Sequence, residues 1–362
     1  MNSQRIAIVG GGAAGFFAAL SCADAGFKGE IVLLEKTAQF LSKVKISGGG
    51  RCNVTHACFN DREFTTRFPR GERALIGPFK QFQASDTVEW FEKHGVKLKT
   101  EPDGRMFPVT DSSQTIIDCL VNAAEKARVK LRPNAGVDRI AKKPNGGFEL
   151  TLSNGDLLAC NKLLLATGGC RSAALGDLAS SLGHTLESPV PSLFTFHSET
   201  PWLKDLAGVS VETAEAWIPE TKLRERGPVL VTHWGLSGPA ILRLSAWGAR
   251  LLHEKNYRFP LHINWLPDQT EASLTDEFQS RRQSQGARLL INVPVAPLPV
   301  RLWEQLVLAA GIAPNVRWSA FPRPAQLRLI QQLFQTALPV TGKSLNKDEF
   351  VTCGGVRLNE VN

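Results

Sequence analysis

The sequence predicts an α/β protein: a Rossmann-type two-dinucleotide-binding domain interrupted by a mixed α+β insert domain. Three observations carry that expectation. An apolar strand, Ile6-Ala7-Ile8-Val9, runs into Gly10-Gly11-Gly12-Ala13-Ala14-Gly15 and then into a helix. A second apolar strand, Ile31-Val32-Leu33-Leu34, closes on an acid, Glu35, twenty residues after Gly15. Composition then shifts near residue 189. Up to Ser188 lie 21 of the 31 glycines, but only 6 of the 21 prolines and one of the eight tryptophans, so the two parts belong to different domains.

In the first part strand and helix alternate. Arg5 to Val9 reads as a buried strand, Ala13 to Ala25 as a helix, and Ile31 to Leu34 as the next strand. Ile116, Ile117, Leu120, Val121 and Ala124 fall on one face of a later helix. From Gly136 to Ala166, turns at Pro144-Asn145-Gly146-Gly147 and Asn154-Gly155-Asp156 separate short strands, as in a small antiparallel meander. It ends in Leu163-Leu164-Leu165-Ala166, read as a central parallel strand because the run is apolar throughout.

Ser188-Pro189-Val190-Pro191-Ser192 reads as an inter-domain connection. Beyond it, Val229 to Val231 is a strand and Pro239 to Leu252 a helix, with Ser237 as its N-cap and Pro239 in its first turn. Further helices are expected around Arg301 to Ala310 and Ala325 to Ala337. The domain boundaries read from the chain are 1–190, an insert over 191–342, and a return over 343–362.

Composition narrows the class. A hydrophobic share of 43% and a charged share of 21% suit a soluble globular protein. Seven cysteines with no C-x-x-C pair indicate neither a disulfide framework nor a zinc ribbon, so a reducing cytoplasm and no metal are expected. The stretch Ile6 to Leu20 carries four glycines and no following cleavage site, so it is not read as a secretion signal, and no membrane association is expected. The net charge of +8 suits phosphate-bearing ligands, but the Lys and Arg are scattered, and nucleic acid is not an expected partner.

The chemistry concentrates in a few segments. Gly10 permits a tight turn out of the strand, Gly12 lets backbone approach a pyrophosphate, and Gly15 lets the helix pack on the sheet. Ala13 and Ala14 then place the helix N-terminus against the anion. Glu35, followed by Lys36, offers a carboxylate to ribose hydroxyls. In Lys43-Val44-Lys45-Ile46-Ser47-Gly48-Gly49-Gly50-Arg51-Cys52-Asn53, the glycines can wrap a ligand while Lys43 and Arg51 add positive charge. The competing reading is a flexible surface loop.

Thr167, Gly168 and Gly169 end the later apolar strand at the carboxyl edge of the sheet, where open α/β sheets bind ligands. Val137 can offer backbone groups to an adenine ring. In Thr232-His233-Trp234-Gly235-Leu236-Ser237-Gly238-Pro239 a helix start accounts for the last three residues, while His233 and Trp234 are candidates to face a substrate. The catalytic candidates are Arg51, Cys52 and His233, each with a plain structural alternative.

These motifs resemble a known family. Ala13-Ala14-Gly15, Ile46-Ser47-Gly48-Gly49-Gly50-Arg51-Cys52-Asn53, Gly104-Arg105-Met106-Phe107-Pro108, Ala166-Thr167-Gly168-Gly169, Thr232 to Ala240 and Val351-Thr352-Cys353-Gly354-Gly355-Val356 recur in the same order in the BaiN-like (HI0933-like) flavoproteins. The resemblance spans nearly the whole chain. It implies a bacterial NAD(P)/FAD-dependent oxidoreductase whose FAD domain is interrupted from about Pro191 to Thr341 and resumes near Leu345.

The implied cofactors are FAD, bound at the glycine loops, and NAD(P)H as a transient donor, since no second fingerprint is visible. The implied reaction is hydride transfer through the flavin to a small unsaturated or carbonyl substrate. Arg51 and the glycine-rich backbone would stabilise the reduced flavin. Family members continue past the Gly-Gly-Val segment with a glycine-rich strand and a final helix, whereas seven residues follow Gly355 here, so the chain reads as C-terminally truncated. That shortfall motivates an alternative, a non-catalytic FAD or adenine-nucleotide module. The basic balance motivates another, an RNA-associated flavoprotein.

Overall fold

A computed structural model describes residues 4–169, 173–344 and 351–361. The chain divides into two compact units, Met1–Pro189 with Gly354–Asn362, and Val190–Cys353. The expected return near Leu345 lies outside the described residues. Lys343, placed in the returning segment by the sequence, still belongs to the second unit: it pairs with Phe196 in that unit's sheet.

The first unit is built on a four-stranded parallel sheet in the order Lys162–Leu165, Arg5–Val9, Glu30–Leu34, Lys130–Arg132. Side chains alternate across a strand, so each strand feeds two cores. Ile8, Ile31 and Leu33 point to one face, where Phe16, Ala19 and Leu20 of helix Ala13–Asp24 meet Ile116, Leu120 and Ala124 of helix Ser113–Lys126. Ala7, Val9, Val32 and Leu34 point to the other, against Ile140, Leu150, Leu152 and Leu158. Each large side chain so buried stabilises the fold by about 1.5–3 kcal/mol.

The second face is covered by the expected meander, strands Val137–Lys142, Phe148–Leu152 and Leu157–Cys160, all antiparallel. The run Leu163 to Ala166 is not central. Among the described residues, strand Lys162–Leu165 pairs with Arg5–Val9 alone and forms an edge of this sheet, and Leu164 is 40% exposed. An apolar run shows burial on two faces but not the number of neighbouring strands.

Two smaller pieces complete the unit. Strands Thr55–His56, Arg105–Pro108 and Leu98–Thr100 form an antiparallel sheet that buries Phe107 completely. Helices Asp61–Thr65 and Glu72–Gln81 pack on one another as a helical hairpin.

The second unit holds a seven-stranded antiparallel sheet, in the order Thr336–Val340, Phe259–Asn264, Ser210–Trp217, Arg224–Thr232, Gly235–Ser237, Thr195–His197, Gly342–Ser344. Helices Pro239–Trp247, Glu271–Ser284, Val300–Ala309 and Arg323–Phe334 contribute Ile241, Phe278, Trp303 and Leu329 to its core.

The helix expected over Pro239 to Leu252 is two, parted at Gly248 from Ala249–Glu254. Its cap is Gly238, not Ser237: with φ at +95°, a Cβ at 238 would come 2.7 Å from the Pro228 carbonyl oxygen, so only glycine fits. Ala337, expected in a helix, lies in a strand whose Thr336, Leu338 and Val340 are buried at every second residue.

Candidate functional site

The glycine loop leaves the carboxyl end of strand Arg5–Val9, and its three fingerprint positions are glycine for different reasons. At Gly10, φ is +115° and a Cβ would lie 2.2 Å from the Ala166 carbonyl oxygen. At Gly15 a Cβ would lie 2.0 Å from the Gly10 carbonyl oxygen. Protein fills both spaces. At Gly12, no atom comes within 4 Å of such a Cβ. The space there is open, and it faces the start of helix Ala13–Asp24, whose N-cap is Gly12 and which has no side-chain cap. Ala13 and Ala14 are exposed. The first-turn N–H groups of such a helix attract an anion.

Glu35 stands beside this loop. Its carboxylate accepts the Gly11 N–H at 3.0 Å and the Thr37 N–H and hydroxyl at 2.9 Å each. A carboxylate offers about four acceptor positions, so capacity remains for a ribose hydroxyl. The chain leading to Val137 passes the same point, because Ala135 donates to the Glu35 carbonyl oxygen at 2.7 Å. Lys36 is exposed, and its Cβ lies 3.3 Å from where a Cβ on Gly136 would stand.

The second glycine cluster is tied to the first by the Leu41 N–H, which donates to the Gly11 carbonyl oxygen at 2.8 Å. The helix Ser42–Gly50 breaks at Ser47, where ψ is 147°, and Gly48 and Gly49 turn left-handed with φ of 57° and 69°. Ser47 donates to the Val44 carbonyl oxygen at 2.9 Å. Open space adjoins Gly49, while Gly48 sits 2.9 Å, as a notional Cβ, from the Phe107 ring. The Lys43 ammonium comes within 3.9 Å of a Cβ built on Gly168. Thr167, Gly168 and Gly169 follow the edge strand, and the Thr167 Cα is 3.1 Å from a Cβ on Gly10.

The structure therefore gathers Gly10, Gly12, Ala13, Ala14, Gly15, Glu35, Lys43, Thr167 and Gly168 at one carboxyl edge. The catalytic candidates fare differently. Arg51 pairs with Glu101 and Asp111 and lies 4.0 Å over the Phe107 ring, so much of its charge is already balanced. Cys52 is buried with φ at +62°, and burial pushes its thiol up, partly offset by a hydrogen bond with Ser47. A thiol so raised is a poor nucleophile at neutral pH. His233 belongs to the second unit, exposed in the turn between strands Arg224–Thr232 and Gly235–Ser237. Beside it in the chain, Trp234 is 63% exposed and stacks on His197 at 6.1 Å.

The HI0933-like protein Rossmann domain family matches residues 4–362. The chain belongs to that family. Membership places it among FAD-dependent oxidoreductases. Two curated relatives are similar over most of their length. The ribosomal RNA dihydrouridine synthase of Escherichia coli (strain K12) is 31% identical over 98% of this chain and 86% of its own. The 3-dehydro-bile acid delta(4,6)-reductase of Clostridium scindens is 26% identical over 99% of this chain and 88% of its own. Among solved structures, a 3-ketosteroid-delta4-(5alpha)-dehydrogenase from Rhodococcus jostii aligns over 98% of this chain and 86% of its own, at 14% identity and a TM-score of 0.49.

In this HI0933-like chain the residues present fit FAD: an open space at Gly12, an uncapped helix start and a carboxylate at the end of the second strand are what a diphosphate and an adenosine ribose require. Sequence reasoning missed Glu101, Asp111 and His197. Nothing local marks them, for Arg51 meets its carboxylates 50 and 60 residues along the chain. Among the described residues, no group of His, Cys, Asp or Glu stands together as a metal site, and no helix is long and apolar enough to cross a membrane.

Proposed function

We propose that this chain is a FAD-dependent reductase of a carbon–carbon double bond conjugated to a carbonyl, and that its substrate is a uracil ring in RNA. The observation that carries the reading is the likeness, over 98% of the chain, to a ribosomal RNA dihydrouridine synthase. Dihydrouridine is uridine with the ring double bond beside its carbonyl saturated. The other relative's name denotes reduction of double bonds conjugated to a 3-oxo group. Both are one chemistry: a hydride and a proton add across an activated double bond. In the reading proposed for this chain the hydride comes through the flavin from a nicotinamide, which is oxidised in turn. The net charge of +8 suits a polyanionic substrate.

When bound, FAD supplies the two-electron chemistry that no side chain provides. The chain's own residues hold it. Backbone N–H groups after Gly12 would take the diphosphate, Glu35 would accept from the adenosine ribose, Val137 would offer backbone to the adenine, and Lys43, near Gly168, would add positive charge to the same edge.

Anaerobic mixing of flavin-loaded protein with NADH and with NADPH tests the donor. Bleaching of the visible flavin band is expected with one of them, and neither bleaching it ends the nicotinamide reading. Ribosomal RNA lacking dihydrouridine is then supplied, and mass analysis of its nucleosides should show uridine gaining two hydrogens. The bile-acid relative favours a second reading, a free conjugated ketone, and a 3-oxo-4-ene steroid offered in the same assay distinguishes it.

A further inference from the structure

The helical hairpin over residues 60–82 supplies none of the cradle residues named above. Its rings pack on themselves: Phe64, Phe68 and Phe79 lie 5.0–5.6 Å apart, and helix Glu72–Gln81 buries no residue. At one end Phe59 is 51% exposed, and at the other Phe82 is 42% exposed. Five cations, Arg62, Arg67, Arg70, Arg73 and Lys80, stand on this segment against Asp61, Glu63 and Glu72, and all five are exposed. Arg67 pairs with Glu63. Arg62, Arg73 and Lys80 have no ion-pair partner among the described residues.

Phe82 also contacts the ring of Phe17 at 5.5 Å, and Phe17 lies on the helix whose N-terminus forms the cofactor cradle. The hairpin is thus rooted on the element that carries the cradle.

We infer that this hairpin is an RNA-docking element, which takes phosphates on Arg62, Arg73 and Lys80 and stacks an unpaired base on Phe59. The inference rests on the RNA reading of the function. Exposed aromatic rings on the same segment as unpaired cations suit a single strand, since every base has a face to stack and every linkage a charge. An acidic protein would meet the cations but has no need of the rings.

The test uses flavin-loaded full-length protein and a fluorescein-labelled single-stranded oligouridylate, with binding read by anisotropy over a series of salt concentrations. The triple variant Arg62→Gln, Arg73→Gln, Lys80→Gln is expected to bind at least about tenfold more weakly. The slope of log K against log salt should be shallower by about 2, at roughly 0.7 for each phosphate no longer neutralised. Phe59→Ala is expected to weaken binding by about threefold or more with the slope unchanged. Flavin content reports that each variant is folded.

A wild type that binds, with a triple variant of equal affinity and slope, overturns the hairpin assignment alone. A wild type that binds no RNA ends the RNA reading of the function and the hairpin with it. Loss of binding to phosphatidylglycerol vesicles in the triple variant, with RNA affinity retained, assigns the cations to a membrane surface and likewise overturns the proposal.

Discussion

The carboxylate of Glu35 accepts the backbone N–H of Gly11 at 3.0 Å, joining the end of the second strand to the middle of the glycine loop. One side chain thus shapes the loop and, on the proposed reading, would also take the adenosine ribose. Glu35→Gln keeps an acceptor for the loop but gives up the charge. A hydrogen bond to a charged acceptor is worth about 1–1.5 kcal/mol more than one to a neutral acceptor, so FAD should bind roughly five- to tenfold more weakly. Glu35→Ala, which also frees the Gly11 and Thr37 donors, should bind more weakly still. Flavin fluorescence titration measures both, and unchanged affinity in Glu35→Gln would mean the carboxylate serves only the loop.

Two glycine substitutions should separate packing from ligand contact. Gly12→Ala meets no atom within 4 Å, and φ there is −88°, so the protein should fold with stability within about 1 kcal/mol of the parent. Its methyl group occupies the open space, and FAD affinity should fall sharply. Gly15→Ala drives a Cβ to 2.0 Å from a carbonyl oxygen and should cost about 3 kcal/mol or more in folding, whether or not FAD is present. Urea unfolding of the apoprotein, followed by flavin titration, reads the contrast. Equal losses in both measurements for both variants would refute it.

The cradle was legible in the sequence because Gly15 is fixed by steric contact with Gly10, five residues before it, Gly10 by its positive φ at the turn, and Glu35 by strand register. Such constraints leave local marks. The edge position of Leu163 to Leu165 was not legible, since an apolar strand carries no record of its pairing partners. Nor was the partnership of Arg51 with Glu101 and Asp111, which the small sheet around Phe107 brings about through tertiary contact. The hairpin over 60–82 was not legible either, because its half-buried phenylalanines pack against each other, without the long periodic stripe that a core helix shows.

Cys52 should prove inert. Burial raises its thiol, and the thiolate is the reactive form, so iodoacetamide at pH 8 should label it at least about tenfold more slowly than glutathione. Cys52→Ser should retain turnover within about threefold. Peptide mapping after timed alkylation locates the label. Rapid modification of Cys52, with matching loss of flavin reduction, would restore it as a catalytic candidate.

Acid sensitivity should be traceable to Glu30. Its carboxylate is held below the usual glutamate range by a hydrogen bond from Lys130 and by Arg5, against an opposing effect of burial. The three residues start three adjacent strands of the parallel sheet, so the cluster fastens that end of the first unit. A carboxylate whose pKa is depressed on folding binds its proton more readily in the unfolded chain. Its contribution is complete above the ordinary glutamate pKa of about 4.3 and is lost as pH falls through the lower folded value. Glu30→Gln should therefore lower the urea midpoint at pH 7, by a margin that narrows as pH falls below about 4.3 and the folded parent takes up its proton. Parallel midpoint curves for parent and variant across that range would show that Glu30 does not titrate with unfolding.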